Sequence, residues 1–205
     1  MNFTPDAKEV RYTMVGILLG LFLAALDQTI VSTAMPRIVG ELKGAEYYAW
    51  VTTSYLLAST VSAPVFGRLT ELFSRKAVLV AAVLLFLLGS ALSGLSQNMV
   101  ELVLFRGVQG LGGGALFALA LTTLAVLFPP RERGRLAGVF GAMFGLSSAV
   151  GPWLGGLLTD HFSWRWVFYV NVPFGIAAIA GLWVFMKDTP RSEELKFDWA
   201  GFAFL

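Results

Sequence analysis

Hydrophobic positions in this chain come in long unbroken runs, without the alternation of strands or the narrow stripe of a surface helix. Six runs cover Tyr12–Ala34, Ala49–Leu69, Val78–Leu95, Val100–Leu127, Leu136–Leu158 and Trp166–Met186. Each holds about 18 or more mostly apolar residues, enough to cross a ~30 Å hydrocarbon core as an α-helix. Outer-membrane barrel strands would be about ten residues long and would alternate. Between the runs lie short segments rich in charges and turn formers: Pro36–Glu46, Thr70–Lys76, Ser96–Asn98, Pro129–Arg135 and Asp160–Arg165. The pattern predicts an all-α, polytopic membrane bundle over residues 12–186, preceded by a short N-terminus at 1–11. The first run is too long for a signal-peptide core, contains Asp27 and has no small-x-small site before the next run, so a retained anchor is expected. After a polar linker at 187–198, residues 199–205 would rise only about 10 Å as helix. They are expected to open a seventh span of a longer protein.

Composition narrows the alternatives. The 205 residues are 57% hydrophobic and 14% charged, with mean hydropathy +0.72. That leaves too few charges to coat a soluble domain and too many apolar residues for disorder. The absence of cysteine removes disulfides, thiolate metal sites and cysteine nucleophiles. A net charge of +2 gives no footprint for nucleic acid. The Gly112–Gly114 run lacks the lysine of a phosphate loop, and no convergent nucleophile or metal cluster is visible. An enzyme is not expected, nor a metal or cofactor. Basic residues set the orientation. Lys8, Arg11, Arg68, Arg75, Lys76, Arg131, Arg133, Arg135, Lys187, Arg191 and Lys196 fall on one side, against Arg37, Lys43 and Arg165 on the other. A multi-pass protein of the cytoplasmic membrane is predicted, with both ends of this chain inside. Tyr47, Tyr48, Trp50, Trp164 and Trp166 are expected to form an outer aromatic belt.

Two ionisable residues lie well inside runs: Asp27 in the first and Arg106 in the fourth. A charge at the centre of a membrane helix costs about 2.5–3.5 kcal/mol on insertion scales. Helical rise puts Asp27 ~13 Å below Pro36 and Arg106 ~9 Å below Val100, at similar depth in the outer half. One reading is a carboxylate that gains and loses a proton beside an arginine that biases it. The other is a permanent ion pair or polar anchor. His161, the single histidine, falls with Asp160 and Ser163 in an outer loop, where a solvated turn is expected rather than a triad.

Many of the 22 glycines recur inside runs at four-residue spacing: Gly134/Gly138, Gly141/Gly145 and Gly151/Gly155. Gly107, Gly110, Gly112, Gly113 and Gly114 crowd the fourth run. Small residues at this spacing let helix backbones approach closely. Pro152 removes a helix hydrogen bond beside Gly151, Gly155 and Gly156, so the fifth helix is expected either to pack statically or to bend and slide as a hinge. In the turn Gly67–Lys76, a positive-inside loop explains Arg75 and Lys76. It does not explain Gly67 at a helix end, or Glu71 four residues before a base.

These segments resemble the major facilitator superfamily, and within it the fourteen-span drug:proton antiporters. Leu26-Asp27-Gln28-Thr29-Ile30-Val31 with Ala34-Met35-Pro36 is similar to that group's first-span motif. Gly67–Lys76 resembles the superfamily's loop between spans two and three, with Glu71, Leu72 and Ser74 replacing the usual aspartate, arginine and glycine. Leu104-Phe105-Arg106-Gly107-Val108-Gln109-Gly110-Leu111-Gly112 resembles the fourth-span motif. Gly151-Pro152-Trp153-Leu154-Gly155-Gly156 resembles the antiporters' fifth-span motif, with Ser147 at a position where a smaller residue is usual. Trp164-Arg165-Trp166-Val167-Phe168 with Asn171-Val172-Pro173 resembles the group's opening of span six.

The resemblance implies one six-helix half of a two-half fold, built as a three-plus-three inverted repeat and requiring a C-terminal half as partner. It implies proton-coupled efflux of lipophilic, cationic small molecules, with the proton gradient as energy source. Asp27 would couple protons with Arg106, and Glu71, Arg75 and Lys76 with Gly67 would gate the cytoplasmic side. Gln109, Phe117, Phe140, Met143 and Phe144 are expected around an adaptable cavity. The alternatives are an exporter of one metabolite or organic anion, with Arg106 as direct ligand, or a truncated membrane module that does not transport.

Overall fold

The computed structural model describes residues 7–186, and all regular structure among them is helical. The order is α1 (Ala7–Leu42), a 3-10 turn (Ala45–Tyr47), α2 (Tyr48–Leu72), α3 (Arg75–Leu95), α4 (Met99–Leu127), α5 (Pro130–His161), α6 (Trp166–Tyr169) and α7 (Asn171–Phe185). The expected N-terminal residues 1–6, the linker at 187–198 and the seventh-span segment at 199–205 lie outside the described residues.

Local chemistry explains where the helices begin and end. The α1 helix runs through Pro36, which the loop expected at Pro36–Glu46 did not foresee. It stops where Lys43 and Gly44 adopt positive φ of 50° and 135°, the left-handed exit that glycine favours. Ser74 caps α3 by accepting from the Ala77 N–H at 3.2 Å, a sound use for the residue that replaces glycine in this turn. Asn98 and Glu101 close a reciprocal box at the start of α4, with Glu101 accepting from the Gln97 N–H and Asn98 from the Glu101 N–H. Pro130 opens α5, so the loop expected at Pro129–Arg135 is mostly the first turns of a helix. His161, expected in a loop, is the last residue of that helix. The sixth run is interrupted at Val170, because Pro173 has no N–H to give the carbonyl one turn earlier.

Among the described residues, five stretches are long and apolar enough to cross a membrane: Met14–Leu42, Arg75–Leu95, Met99–Thr123, Ala137–His161 and Trp166–Val184. The α2 helix has 25 residues, about 37 Å at helical rise. Length suffices there, but Thr52, Thr53, Ser54, Ser59, Thr60 and Ser62 dilute its apolarity.

The α2 helix packs along α4 and α5 along α1, while α3 packs on α4 and α7 on α1. Exchanging α1, α2 and α3 for α4, α5 and α7 leaves this pattern unchanged. Two large apolar cores result, beside a smaller third. One gathers Leu23, Tyr55, Leu79, Phe86, Ala115 and Leu182. The other gathers Leu26, Ile30, Val51, Leu102, Trp164 and Phe168. Trp164 is therefore no belt residue: it is fully buried, and its indole N–H donates to Glu41 at 2.7 Å. Tyr47, Tyr48, Trp50 and Trp166 are exposed. Arg165 ties the same end by donating to the carbonyls of Gly94 and Ser96 at 2.8 and 2.7 Å, a cation at the C-terminus of α3.

The α3–α4 contact depends on a missing side chain. A Cβ at Gly89 would come within 2.5 Å of the Gln109 Cα. Gly89→Ala should destabilise the full-length protein by about 1–3 kcal/mol through overpacking. Gly141→Ala, where nothing among the described residues lies within 4 Å, should be neutral or stabilise by up to about 1 kcal/mol. Thermal unfolding in detergent checks both, and equal melting of the two variants would refute the contact.

Candidate functional site

Between the two cores lies a thin polar layer. On α1, Leu23 and Leu26 belong to different cores and Asp27 follows them, fully buried. On α4, Leu102 and Ala115 bracket Arg106 and Gln109, which are buried as well. Arg106 donates to Asp27 Oδ2 at 2.5 Å and to Gln109 Oε1 at 2.8 Å. Gln109 Nε2 donates in turn to Asp27 Oδ1 at 2.8 Å. The two residues at matching depth thus form a three-membered ring with an amide one turn along the same helix. A buried charge pair of this kind needs its remaining lone pairs satisfied to offset desolvation.

Two more helices supply the rest. Asn171, the first residue of α7, donates from Nδ2 to Asp27 Oδ1 at 2.8 Å and to Ser90 Oγ of α3 at 2.9 Å. Ser90 Oγ donates to the Phe168 carbonyl at 2.9 Å. From α2, Tyr55 sets its ring 4.4 Å from the Arg106 guanidinium carbon, a cation–π contact that favours the charged arginine in a desolvated place.

Tyr55 also lines a cavity of about 280 Å³, with Leu21, Ala24, Ala25, Gln28, Ser59, Thr60, Ala63, Gly113, Gly114, Phe117 and Phe144. Phe117 and Phe144 meet there edge to face, their centroids 6.3 Å apart. No lining residue is charged. Of the residues expected around a cavity, Phe117 and Phe144 line this one, Met143 is half-buried and not in the lining, and Gln109 sits in the Asp27 ring. Phe140 packs in a third core with Met14, Ile17, Leu21 and Ala120.

The other expected site residues lie away from this layer. Gly67 has nothing within 4 Å of a notional Cβ, and the side chain of Glu71 lies outside the described residues. Arg75 has a buried Nε with no hydrogen-bond partner among the described residues. Lys76 donates to the Trp183 carbonyl at 2.9 Å and lies 5.1 Å from that ring's centroid, binding α3 to the last turn of α7. On α5, a Cβ at Gly151 would strike the Thr29 side chain, and one at Gly155 would approach the Ile30 carbonyl to 3.0 Å. Thr29 Oγ1 reaches the Ser147 carbonyl at 3.0 Å. Pro152 is exposed and Gly156 has no near neighbour, so Gly151 and Gly155 form the contact with α1 and the other two face away from it.

Residues 17–203 match the sequence pattern of the family described as Major Facilitator Superfamily. The chain belongs to that superfamily. It is 44% identical over 200 residues to Multidrug resistance protein 3 of Bacillus subtilis (strain 168), covering 97% of this chain and 39% of that protein. It is 41% identical over 203 residues to the Multidrug transporter protein MdtP of the same organism, covering 98% and 38%. The chain therefore spans about two-fifths of the length of these curated relatives. Among solved structures, the human organic anion transporter MFSD10 (TETRAN) shares the fold, with a TM-score of 0.69 at 20% identity over 90% of this chain and 49% of that one. Proteins of this superfamily are carriers rather than enzymes.

Sequence reasoning missed Tyr55 and Ser90 as members of the superfamily site, and named Asn171 only within a motif. Neutral polar residues cost less in a membrane than charges, so they drew less notice. A signal did exist, since Asn171 is the only carboxamide in its apolar run.

Removing one partner of the buried pair should cost more than removing both. Arg106→Met should destabilise the protein by about 3–5 kcal/mol by stranding the carboxylate. Adding Asp27→Asn should recover most of that loss in thermal unfolding. A double variant as unstable as the single one would contradict the pairing.

Proposed function

We propose that this chain is the N-terminal six-helix bundle of a secondary active transporter of the cell membrane that exports lipophilic, cationic small molecules in exchange for protons. Its two three-helix units would be related by an inverted repeat, which the exchange-invariant packing of the helices supports. Coverage of about two-fifths of each relative fits one half of a two-bundle carrier, with a C-terminal half as partner. The asymmetry of basic residues supports cytoplasmic ends. The names of the bacterial relatives support a drug-like substrate range.

The observation that carries the reading is a buried carboxylate whose oxygens are fully engaged, one tyrosine ring away from an uncharged aromatic cavity. That geometry alters the sequence expectation in one respect. Asp27 has no free oxygen to hold a cation directly, so coupling runs through Arg106 and Tyr55. With Asp27 ionised, the pair is neutral and the cavity wall accepts a cation against the faces of Tyr55, Phe117 and Phe144. A proton taken up from outside cancels the carboxylate and leaves the guanidinium uncompensated behind Tyr55. The wall turns positive and the cationic substrate is expelled. Loss of the proton inward resets the pair; one proton in for one monovalent cation out moves no net charge, so the pH difference across the membrane supplies the drive. An anion exporter with Arg106 as direct ligand draws no support, since Arg106 is buried and its NH1 is committed to Asp27 and Gln109.

In membrane vesicles carrying the full-length protein, a pH gradient should accelerate efflux of a lipophilic cationic dye. Asp27→Asn should reduce that acceleration to background while leaving dye binding measurable. Unchanged coupling would remove Asp27 from the mechanism. Phe144→Ala should weaken dye binding roughly three- to tenfold, the worth of one aromatic contact.

A further inference from the structure

Two side-chain amides face the Asp27 carboxylate, and they differ in one respect. Gln109 presents its NH2 to Asp27 Oδ1 while its Oε1 is held by Arg106. It cannot turn over without losing the arginine. Asn171 presents its NH2 to Asp27 Oδ1 and Ser90 Oγ, and its Oδ1 is buried with no partner. The nitrogen and oxygen of a carboxamide are nearly the same size, so rotation about the Cβ–Cγ bond exchanges donor for acceptor without moving a neighbour.

We propose that Asn171 is a positioning residue that reads the protonation state of Asp27 by inverting its side-chain amide, and hands that state through Ser90 to the break between α6 and α7. The proposal rests on the reading of Asp27 as proton carrier. An ionised Asp27 only accepts, so it selects the NH2 face of Asn171. One added proton makes a single O–H donor. Oδ2 faces a guanidinium that has no acceptor, so the proton resides on Oδ1 and needs an acceptor there. Among the groups bonded to Oδ1, only Asn171 has an uncommitted oxygen. After inversion Asn171 Oδ1 accepts from the Asp27 O–H and, on its other lone pair, from Ser90. The Ser90 hydroxyl then leaves the Phe168 carbonyl. That carbonyl lies in the last turn of α6, beside the interruption at Val170. One proton thereby removes one hydrogen bond from the weakest point of the sixth run.

The titratable groups facing Asp27 are Arg106 from α4 and Tyr55, across the Arg106 guanidinium, from α2. Residues 78–95 of α3, 136–159 of α5 and 171–185 of α7 contain no titratable side chain. Nothing else in the layer competes for the signal.

Infrared difference spectra between high and low pH test this on the full-length protein in lipid vesicles, with carbonyl-labelled asparagine. We expect a protonated-carboxyl band that Asp27→Asn abolishes. With it should come a shifted asparagine side-chain carbonyl band that Asn171→Gln abolishes. A carboxyl band with no asparagine change overturns the inversion and spares the reading of Asp27. Absence of any Asp27 carboxyl band overturns both. Ser90→Ala should keep both bands yet lower gradient-driven dye efflux roughly fivefold, the worth of one neutral hydrogen bond. Undiminished efflux in that variant overturns the path to α6.

Discussion

A carboxylate from α1 and a guanidinium from α4 meet at 2.5 Å with neither exposed to solvent or lipid, and the rest of the bundle is arranged around that contact. Neither charge is tolerable alone at this depth. Four helices therefore converge on them with donors and a ring: Gln109 on α4 itself, Tyr55 on α2, Ser90 on α3 and Asn171 on α7. Apolar cores lie on both sides and exclude water, which strengthens each of these bonds. The glycine at position 89 has its place in the same scheme, because only a bare backbone lets α4 bring Gln109 so close to α3.

The cavity is set beside this layer without opening into it. Tyr55 belongs to both, with one face toward Arg106 and a place among the lining residues. The buried charge pair and the aromatic cavity are thus separated by a single ring. In the proposed mechanism that separation lets a proton act on a bound molecule without touching it, through a wall that carries no charged side chain of its own.

Much of this was legible in the sequence because membranes penalise charge so strongly. Asp27 and Arg106 announce themselves by their cost, and helical rise puts them at one depth before any coordinates are seen. Helix order follows from the runs, while the sixth run divides into α6 and α7. What escaped notice has physical causes. Pro36 reads as a loop signal, but α1 runs on through it to Leu42, since helices packed against neighbours in a membrane tolerate proline. Trp164 carries the same amphipathic signal as the exposed Trp166, and only its bond to Glu41 draws it inside. Ser90 and Asn171 are neutral, so their burial costs less than that of a charge and marks them less sharply. The fifth-helix glycines were left between packing and hinging. Gly151 and Gly155 line the contact with α1, while Pro152 is exposed on another face of the same helix.

The hydroxyl-rich character of α2 bears on how the protein is made. Six serines and threonines between residues 52 and 62 lower its partition into lipid, so the translocon would release it sideways only reluctantly on its own. Its longest contact is with α4, synthesised later, whose Gly110 and Gly114 admit the α2 backbone. Insertion of the second segment is thereby tied to arrival of the fourth. Until then the nascent polypeptide holds a half-committed hairpin, with Tyr55 waiting for the arginine that it will cover.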